Sequence, residues 1–467
     1  MDAASVEGYR LLLSRIGLVE QDPGGEVRFI GSDPVIPSRL RYGAGTASAI
    51  AAQAAAIATI WRMRSGRGQD VTVDLRRAVN LGLRTVQNLR QNGRSFTVGS
   101  TTRASNFFKT ADGRTIYLLR NTGRQSITTD LVGMLRCENT TESLSAAVAK
   151  WKASDLEEAL AERKLPGVVV RKPEEWLQHP QGEWLADRPG VEIEKIGDSA
   201  AQPFAPGERP MSGVRVLDAS HVIAGPATGR MLAEHGADVL HVTTPKEQEH
   251  VHVMMDTGLG KRAAYIDLNE VADVAQLREL AKKADIFIQS WRPGALARKG
   301  FSPRDVAAIR PGIIYVSISC YGDEGPWAPR GGYEPIGQVA TGLSATEGSF
   351  EDPKNAPTVT MNDYLTAYLA AAGASGALVR RAREGGSYHV KTSLCQASMW
   401  VLGRGILGDP IEAPPLSAYV PGQGEILSMK SAFGDLKYVA PIAQFSETPA
   451  SWETPPEPAG ASAAQWR

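Results

Sequence analysis

A chain of 467 residues with 42 % hydrophobic and 22 % charged side chains has room for two or three domains with sizeable cores and the make-up of an ordinary soluble protein. Lysine plus arginine and aspartate plus glutamate both number 51, so no net field draws nucleic acid or an anionic membrane, and an anionic ligand must be met by local groups. Three scattered cysteines (Cys137, Cys320, Cys395) read as reduced thiols. With no apolar run of 18 or more residues and no leader-like start in MDAASVEGYR, the expected location is cytoplasmic.

Residues 1–40 are punctuated by Gly and Pro (QDPGG, GSDPVIPS) and predict irregular connection. Residues 41–75 then predict a small-residue helix, a basic turn with Gly66 and Gly68, and an alternating strand. Residues 356–394 repeat this plan. Leu75 aligns with Leu394, Val71 with Val390 and Gly66 with Gly385, and in that register Ala44 faces Asp363. Only the second copy therefore carries a carboxylate at its helix start. Asn362 or Asp363 can cap that helix by accepting a first-turn amide, and the positive end of the helix dipole is expected to keep Asp363 ionised at neutral pH. Ala367, Ala370, Gly373 and Gly376 give the helix a face without bulk, open to close approach by another backbone or a flat ligand. An aspartate in such a place is usually only a cap, so other stretches must decide its role.

Between the copies, residues 103–119 predict a strand, a turn at 110–113 and a second strand. Helical patterns over 126–135, 142–151 and 153–163, a strand at 167–170 and a helix opened by Pro173 complete a small α+β unit. The stretch DSAAQPFAPGERPMSG, 198–213, is the clearest linker. Beyond it the strands VRVLD, ADVLHV, DIFIQS and IIYVSIS alternate with helices, which implies a parallel, doubly wound sheet. Ligands of such sheets bind outside the carboxyl ends of the strands, here 220–225, 243–245, 290–294 and 320–325. The tail from Pro410 holds a strand in FGDLKYVAPI and a surface strap in SETPASWETPPEPAG.

The loop after the first strand, ASHVIAGP, lacks the Gly-x-Gly-x-x-Gly of a nicotinamide site, and no phosphate loop of nucleotide hydrolases occurs. His250 and His252 have no completing ligands at usual spacing, so no metal is expected. His221 has a place in the first loop, where a loop hydrogen bond is its ordinary work.

Six stretches remain: GVRVLDASHVIAGP, the GADV strand, GKRAAYIDL, SWRPGALARKGF, IIYVSISCYGDEGPWAPRGGY and the NDYLTAY helix. In their order and spacing they resemble the class III CoA-transferases, the family of formyl-CoA transferase, carnitine CoA-transferase and α-methylacyl-CoA racemase. The likeness is close over 211–394. The tail resembles the family's closing segment and 106–163 its small domain, in an altered order. The resemblance implies an α/β fold: a doubly wound parallel-sheet CoA-binding domain plus a smaller α+β domain, in the family's interlocked architecture. The corresponding segments are a degenerate copy (1–100), the small domain (101–197), the linker (198–213), the Rossmann-like CoA-binding domain with the catalytic helix (214–394) and the closing tail (395–467).

By the same resemblance Asp363 matches the catalytic aspartate of an acyl-CoA:carboxylate CoA-transferase, forming an aspartyl-CoA thioester. Coenzyme A enters as acyl-CoA substrate; a carboxylic acid is the acceptor. Ser290, Trp291 and Arg298 fall in the CoA-binding stretch, with Trp291 and Arg298 at positions that hold the adenine and phosphates. Arg292 either stabilises the RPG turn or reaches phosphate. Val222 and Ile223 match the loop beside the pantetheine arm. Gly422 and Gly424 in VPGQGE are oxyanion candidates or a plain turn. Three positions depart from the family pattern: Thr243-Thr244 replaces an acidic-basic pair, Ser319 a nucleotide-binding Lys, and Tyr333 the His of racemases. The last argues against racemisation, which needs a second proton carrier. An isomerase and a non-catalytic partner subunit are the alternatives. The family's interlocked dimers imply a homodimer or pairing with a related chain.

Overall fold

The computed structural model describes residues 2–96, 106–120, 125–188, 190–246, 250–408 and 411–467. The start of the strand expected from Arg103, and Pro410 at the start of the tail, lie outside the described residues.

The first 40 residues are not irregular. Helix α1 (Ala3–Ile16) is capped by Asp2, whose carboxylate accepts from the Ser5 amide at 2.8 Å, and ends at Gly17 in the left-handed region at φ 76°. Its apolar stripe, Tyr9, Leu12, Leu13 and Ile16, is buried. Strand β1 (Val27–Ile30) follows, then helix α2 (Tyr42–Ser65) and strand β2 (Val71–Asp74), which pairs in parallel with β1. Helix α2 is long and apolar enough to cross a membrane, although no such run was apparent in the sequence. The whole of its apolar window is buried inside the fold, as in a core helix.

The small unit is a three-stranded antiparallel sheet of β3 (Phe107–Lys109), β4 (Thr115–Leu118) and β5 (Gly167–Val169), order β3-β4-β5. Helices α3 (Gln125–Leu135), α4 (Thr141–Val148) and α5 (Ala153–Glu162) lie between β4 and β5 and bury Leu131, Leu144, Leu156 and Leu160 in one core with Phe108 and Ile116. Strand β6 (Glu192–Gly197) then leaves this unit for the large sheet.

That sheet contains β7 (Arg215–Asp218), β8 (Asp238–Thr243), β9 (Lys261–Tyr265), β10 (Ile286–Gln289), β11 (Ile314–Ser319) and β12 (Ser387–Ser393), in the order β9-β8-β7-β10-β11-β12-β6. All neighbours are parallel except β6, which runs antiparallel to β12. The strands are buried apolar runs, as a sheet covered on both faces requires. From β7 the chain first winds outward to β8 and β9, then crosses back to β10 and beyond. The strand order therefore reverses between β7 and β10, which opens a crevice at their carboxyl ends.

Helices α6 (Ala224–Ala233), α7 (Glu334–Ala340), α8 (Met361–Glu384) and α9 (Leu394–Leu402) frame this crevice. The two long copies, α2 and α8, pack against each other, as their small-residue faces permit. Glycine is required where α8 meets its neighbours: a Cβ on Gly376 would lie 2.7 Å from the Ile16 carbonyl oxygen, and one on Gly373 2.5 Å from Val390 Cγ1. The tail straps the other edge. Trp452 Nε1 donates to the Arg230 carbonyl at 3.0 Å, and the Ser462 amide to the Ala263 carbonyl at 2.9 Å, covering the exposed ladder of β9.

Candidate active site

Asp218 anchors the loop that enters the crevice. It is fully buried, and its Oδ2 accepts from Lys261 Nζ at 2.7 Å. Burial alone would raise its pKa, but Lys261 and His241 more than offset that and hold the carboxyl well below its ordinary value. Its other oxygen accepts from the Ser220 amide at 3.2 Å and from the Ser220 hydroxyl, which fixes the turn out of β7. A Cβ on Gly225 would come within 2.3 Å of Ser220 Cβ, so the helix start must be bare there.

The loop after β10 is tied to the loop after β7. Ser290 Oγ accepts from the His221 amide at 2.9 Å and donates to the His221 carbonyl at 3.1 Å. Trp291 Nε1 donates to the Ala219 carbonyl at 2.8 Å, and the indole stacks on the His221 ring at 4.1 Å. These bonds set both loops at the switch point, and Val222 is held there at φ 67°, a left-handed conformation costly for a β-branched residue.

Between these loops, the 330–333 segment and the small unit lies a cleft of 380 Å³. His221, Val222, Ile223, Ser290, Trp291, Arg292, Ser319, Cys320, Tyr333 and Asp363 all reach it. The sequence-derived residues Asp363, Val222, Ile223, Ser290, Trp291 and Arg292 are thus brought together. Arg298 stands apart, in the short turn Ala297–Lys299, and does not line the cleft. Gly422 and Gly424 lie in a different surface cleft with Arg77 and Glu425, where the Gly422 amide donates to Glu425 Oε2 at 2.7 Å. The glycines at the Asp363 cleft are instead Gly331 and Gly332. A Cβ on Gly332 would fall 2.2 Å from Cys320 Sγ, so the segment approaches β11 only because that residue is bare.

Neither Asn362 nor Asp363 is the cap. Thr360 is the N-cap residue of α8, without a side-chain cap bond, and Asp363 is the third residue of the helix. Asn362 is committed elsewhere: its Nδ2 donates to the Glu334 carbonyl at 3.2 Å and its Oδ1 accepts from Ser398 at 2.9 Å. Nor does the helix end keep Asp363 fully ionised, because burial at 7 % exposure lifts its pKa to about 7. Glu334 at the start of α7 went unnoticed in the sequence. Burial, and then the charge of Asp363, push its pKa to about 8, and its Oε1 accepts from the Asn362 amide at 3.1 Å. Both effects favour its neutral form beside Asp363.

The first copy shows how the same helix start is filled when it is not a site. Asp33 from the preceding segment accepts from the Gly43 amide at 2.9 Å and the Ala44 amide at 2.8 Å, so both oxygens are used. No comparable bond holds Asp363 among the described residues, and its carboxylate faces the cleft.

Residues 211–426 match the family model described as CoA-transferase family III. An acyl-CoA transferase of Gibberella moniliformis is 29 % identical over 68 % of this chain and 64 % of its own length. The acetyl-coenzyme A transferase nodX of Hypoxylon pulicicidum is 30 % identical over 64 % of this chain and 54 % of its own. The chain thus spans less than two thirds of these curated relatives. Among solved structures, a CAIB/BAIF family protein from Brucella suis matches with 24 % identity and a TM-score of 0.39, over 49 % of this chain and 65 % of that one.

Proposed function

From the membership of residues 211–426 in CoA-transferase family III, we propose that the chain moves coenzyme A from an acyl-CoA thioester to a carboxylic acid through an aspartyl-CoA thioester on Asp363. The observation that carries this reading is the placement of a buried carboxylate, held by no hydrogen bond among the described residues, in the cleft at the switch point of the sheet. The Asp363 carboxylate attacks the thioester carbonyl, the C–S bond breaks, and the thiolate leaves a mixed anhydride. The thiolate then attacks the aspartyl carbonyl and expels the first acid. The acceptor's carboxylate attacks this aspartyl thioester, releasing the thiolate, which takes the acceptor's acyl carbon and returns Asp363.

Burial favours the attack, because a poorly solvated carboxylate is the stronger nucleophile, and a pKa of about 7 leaves about half of it ionised at pH 7. The raised pKa of Glu334 favours its neutral form, which adds no second negative charge. The start of α6, at Ile223 and Ala224, brings amides that a helix leaves without internal partners to the same cleft, where an oxyanion would form. Trp291 and Arg292 form the wall for the CoA arm, with Arg298 beyond it; Ser319 and the Thr243-Thr244 pair supply no cation there. Arg292 also packs against the 330–333 segment, its Nε 3.1 Å from where a Gly331 Cβ would sit.

A pKa near 7 also suits proton abstraction, which makes an acyl-CoA isomerase the second reading. Tyr333 in the cleft, where racemases of the family carry His, weighs against it. The segment division given from the sequence, a homodimer or a pairing with a related chain, and a cytoplasmic location belong to the same proposal; three free cysteines support the last.

Carboxyl-labelled acceptor acid tests the route. A single turnover with both acceptor oxygens replaced by oxygen-18 should leave one heavy oxygen on the peptide that contains Asp363. An unlabelled peptide after completed transfer excludes the anhydride on this residue.

A further inference from the structure

We infer that Thr85 and Gln87 of the first copy are positioning residues for the reaction, seating the first turn of α8 on both sides of Asp363. The inference rests on the CoA-transfer reading for what Asp363 does once in place.

No hydrogen bond among the described residues holds the Asp363 carboxylate, so its aim is set by the helix turn that carries it. That turn begins at Thr360, an N-cap residue without a cap bond. The Thr360 hydroxyl is spent on the first copy instead: it donates to the Leu83 carbonyl at 2.9 Å and accepts from Gln87 Nε2 at 2.9 Å. One residue past Asp363, the Tyr364 hydroxyl donates to Asp256 Oδ2 at 2.6 Å, and Thr85 Oγ1 donates to the same oxygen at 2.8 Å. Burial, and then the charge of Asp256, raise the Tyr364 pKa well above its ordinary value, so the hydroxyl keeps the proton it donates. Asp256, on the short helix Val251–Thr257, is fully buried, with Arg230 Nη1 of α6 3.7 Å from that oxygen. It is a fixed point shared by the turn of Asp363 and by α6, whose start faces the cleft.

The seat is anchored on its far side. Leu83, Val86 and Leu89 are buried in the main core, and the Leu83 amide donates to the Ala78 carbonyl at 3.1 Å. Arg90 Nη1 donates to the Gln87 carbonyl at 2.9 Å, and the strand Arg90–Gln91 pairs with Gly434–Val439 of the tail. A Cβ on Gly82 would lie 3.2 Å from the Tyr368 hydroxyl, one turn further along α8, so the segment meets the helix closely. The copy whose own helix start is filled by Asp33 therefore holds the helix start of the other. Attack requires reacting atoms aligned at about 3–3.5 Å, and a misplacement of about 1 Å costs about a hundredfold. Releasing the turn at 360 and 364 leaves the walls around CoA as they are, so the loss falls on the chemical step.

The double variant Thr85→Val/Gln87→Met keeps the shapes and removes the polar atoms. In a single turnover with acyl-CoA and hydroxylamine trapping, its rate constant for the Asp363 adduct should fall about ten- to a hundredfold, while the amplitude and the half-saturating acyl-CoA concentration stay within about twofold of wild type. Thr85→Ser should keep most of the rate. So should Thr59→Val, which removes a hydroxyl bonded to the Ala55 carbonyl at 2.7 Å elsewhere in the first copy. An unchanged rate constant, a fall in amplitude alone, or equal slowing by Thr59→Val overturns the seat. Hydrogen exchange reads the same contact without turnover: peptides covering 360–366 should exchange about tenfold faster in the double variant and those of β11 at the wild-type rate, and unchanged exchange at 360–366 overturns the seat. A wild type that forms no adduct with any ester fails the CoA-transfer reading alone, and the exchange result then decides the seat.

Discussion

Replacing Asp363 by Asn isolates what the cleft costs the fold. The side chain is 7 % exposed, and its pKa is about 7 in the folded chain against an ordinary 3.8. Because the folded value lies above the unfolded one, the native state binds more protons in between. The stability this group contributes is therefore fully present below pH about 4 and is lost as the pH rises to about 7. That interval, at about 1.4 kcal/mol per pH unit, amounts to roughly 4 kcal/mol. Asparagine has the same shape and no charge to desolvate. At pH 8 the Asp363→Asn chain should be more stable than wild type by up to about 4 kcal/mol, with the difference closing towards pH 4. Urea unfolding followed by tryptophan fluorescence at pH 4, 6 and 8 measures it. A variant no more stable than wild type at pH 8, or a difference that does not change with pH, would refute the burial argument. A stabilised but inactive variant is the pattern of a residue kept for chemistry at the expense of the fold.

The same pKa governs the rate. Transfer needs the ionised carboxylate, so kcat/KM should rise with pH through about 7 and level off above it; a profile flat from pH 5.5 to 8.5 removes Asp363 as nucleophile. Gly332→Ala places a methyl 2.2 Å from Cys320 Sγ and should destabilise by about 1–3 kcal/mol, with transfer activity reduced as the segment is pushed into the cleft; unchanged unfolding midpoint and activity would show that the segment has room to spare. Lys261→Met takes the lysine from buried Asp218 and leaves the His241 ring 3.2 Å from its Oδ2. A loss of about 3–5 kcal/mol is expected at pH 8, and a loss below about 1 kcal/mol would show that the Asp218 turn does not depend on this pair.

The sheet half of the fold was legible because its strands are short apolar runs spaced by helices, a pattern that leaves few topologies open. Asp363 was legible through the long small-residue helix behind it and the order of the six stretches. Other features depended on contacts that no local pattern carries. Helix α1 was hidden by the Gly and Pro that follow it, although Tyr9, Leu12, Leu13 and Ile16 already had helical spacing. Strand β6 reads as polar and finds its place only beside β12. Asp33 was unremarkable in GSDPV, yet it occupies the helix start that Asp363 leaves open in the second copy. Glu334 looks like an ordinary surface acid in GGYEP, yet it is buried, with the Asn362 amide of α8 on its Oε1. Gly422 and Gly424 have the composition of an oxyanion loop, but the tail carries them to another face. The sequence also offered no means of seeing that Arg163 and Lys164, some 200 residues from Asp363, share its cleft.

The central claim is a covalent bond at one carboxylate. Intact-protein mass spectrometry after mixing with a panel of acyl-CoA esters, with hydroxylamine trapping, reads it directly on wild type and Asp363→Ala. A CoA-sized adduct, or a hydroxamate on the Asp363 peptide, that appears in wild type and is absent from the variant is the predicted result. An adduct that persists in Asp363→Ala, or CoA binding with no adduct from any ester, would contradict it.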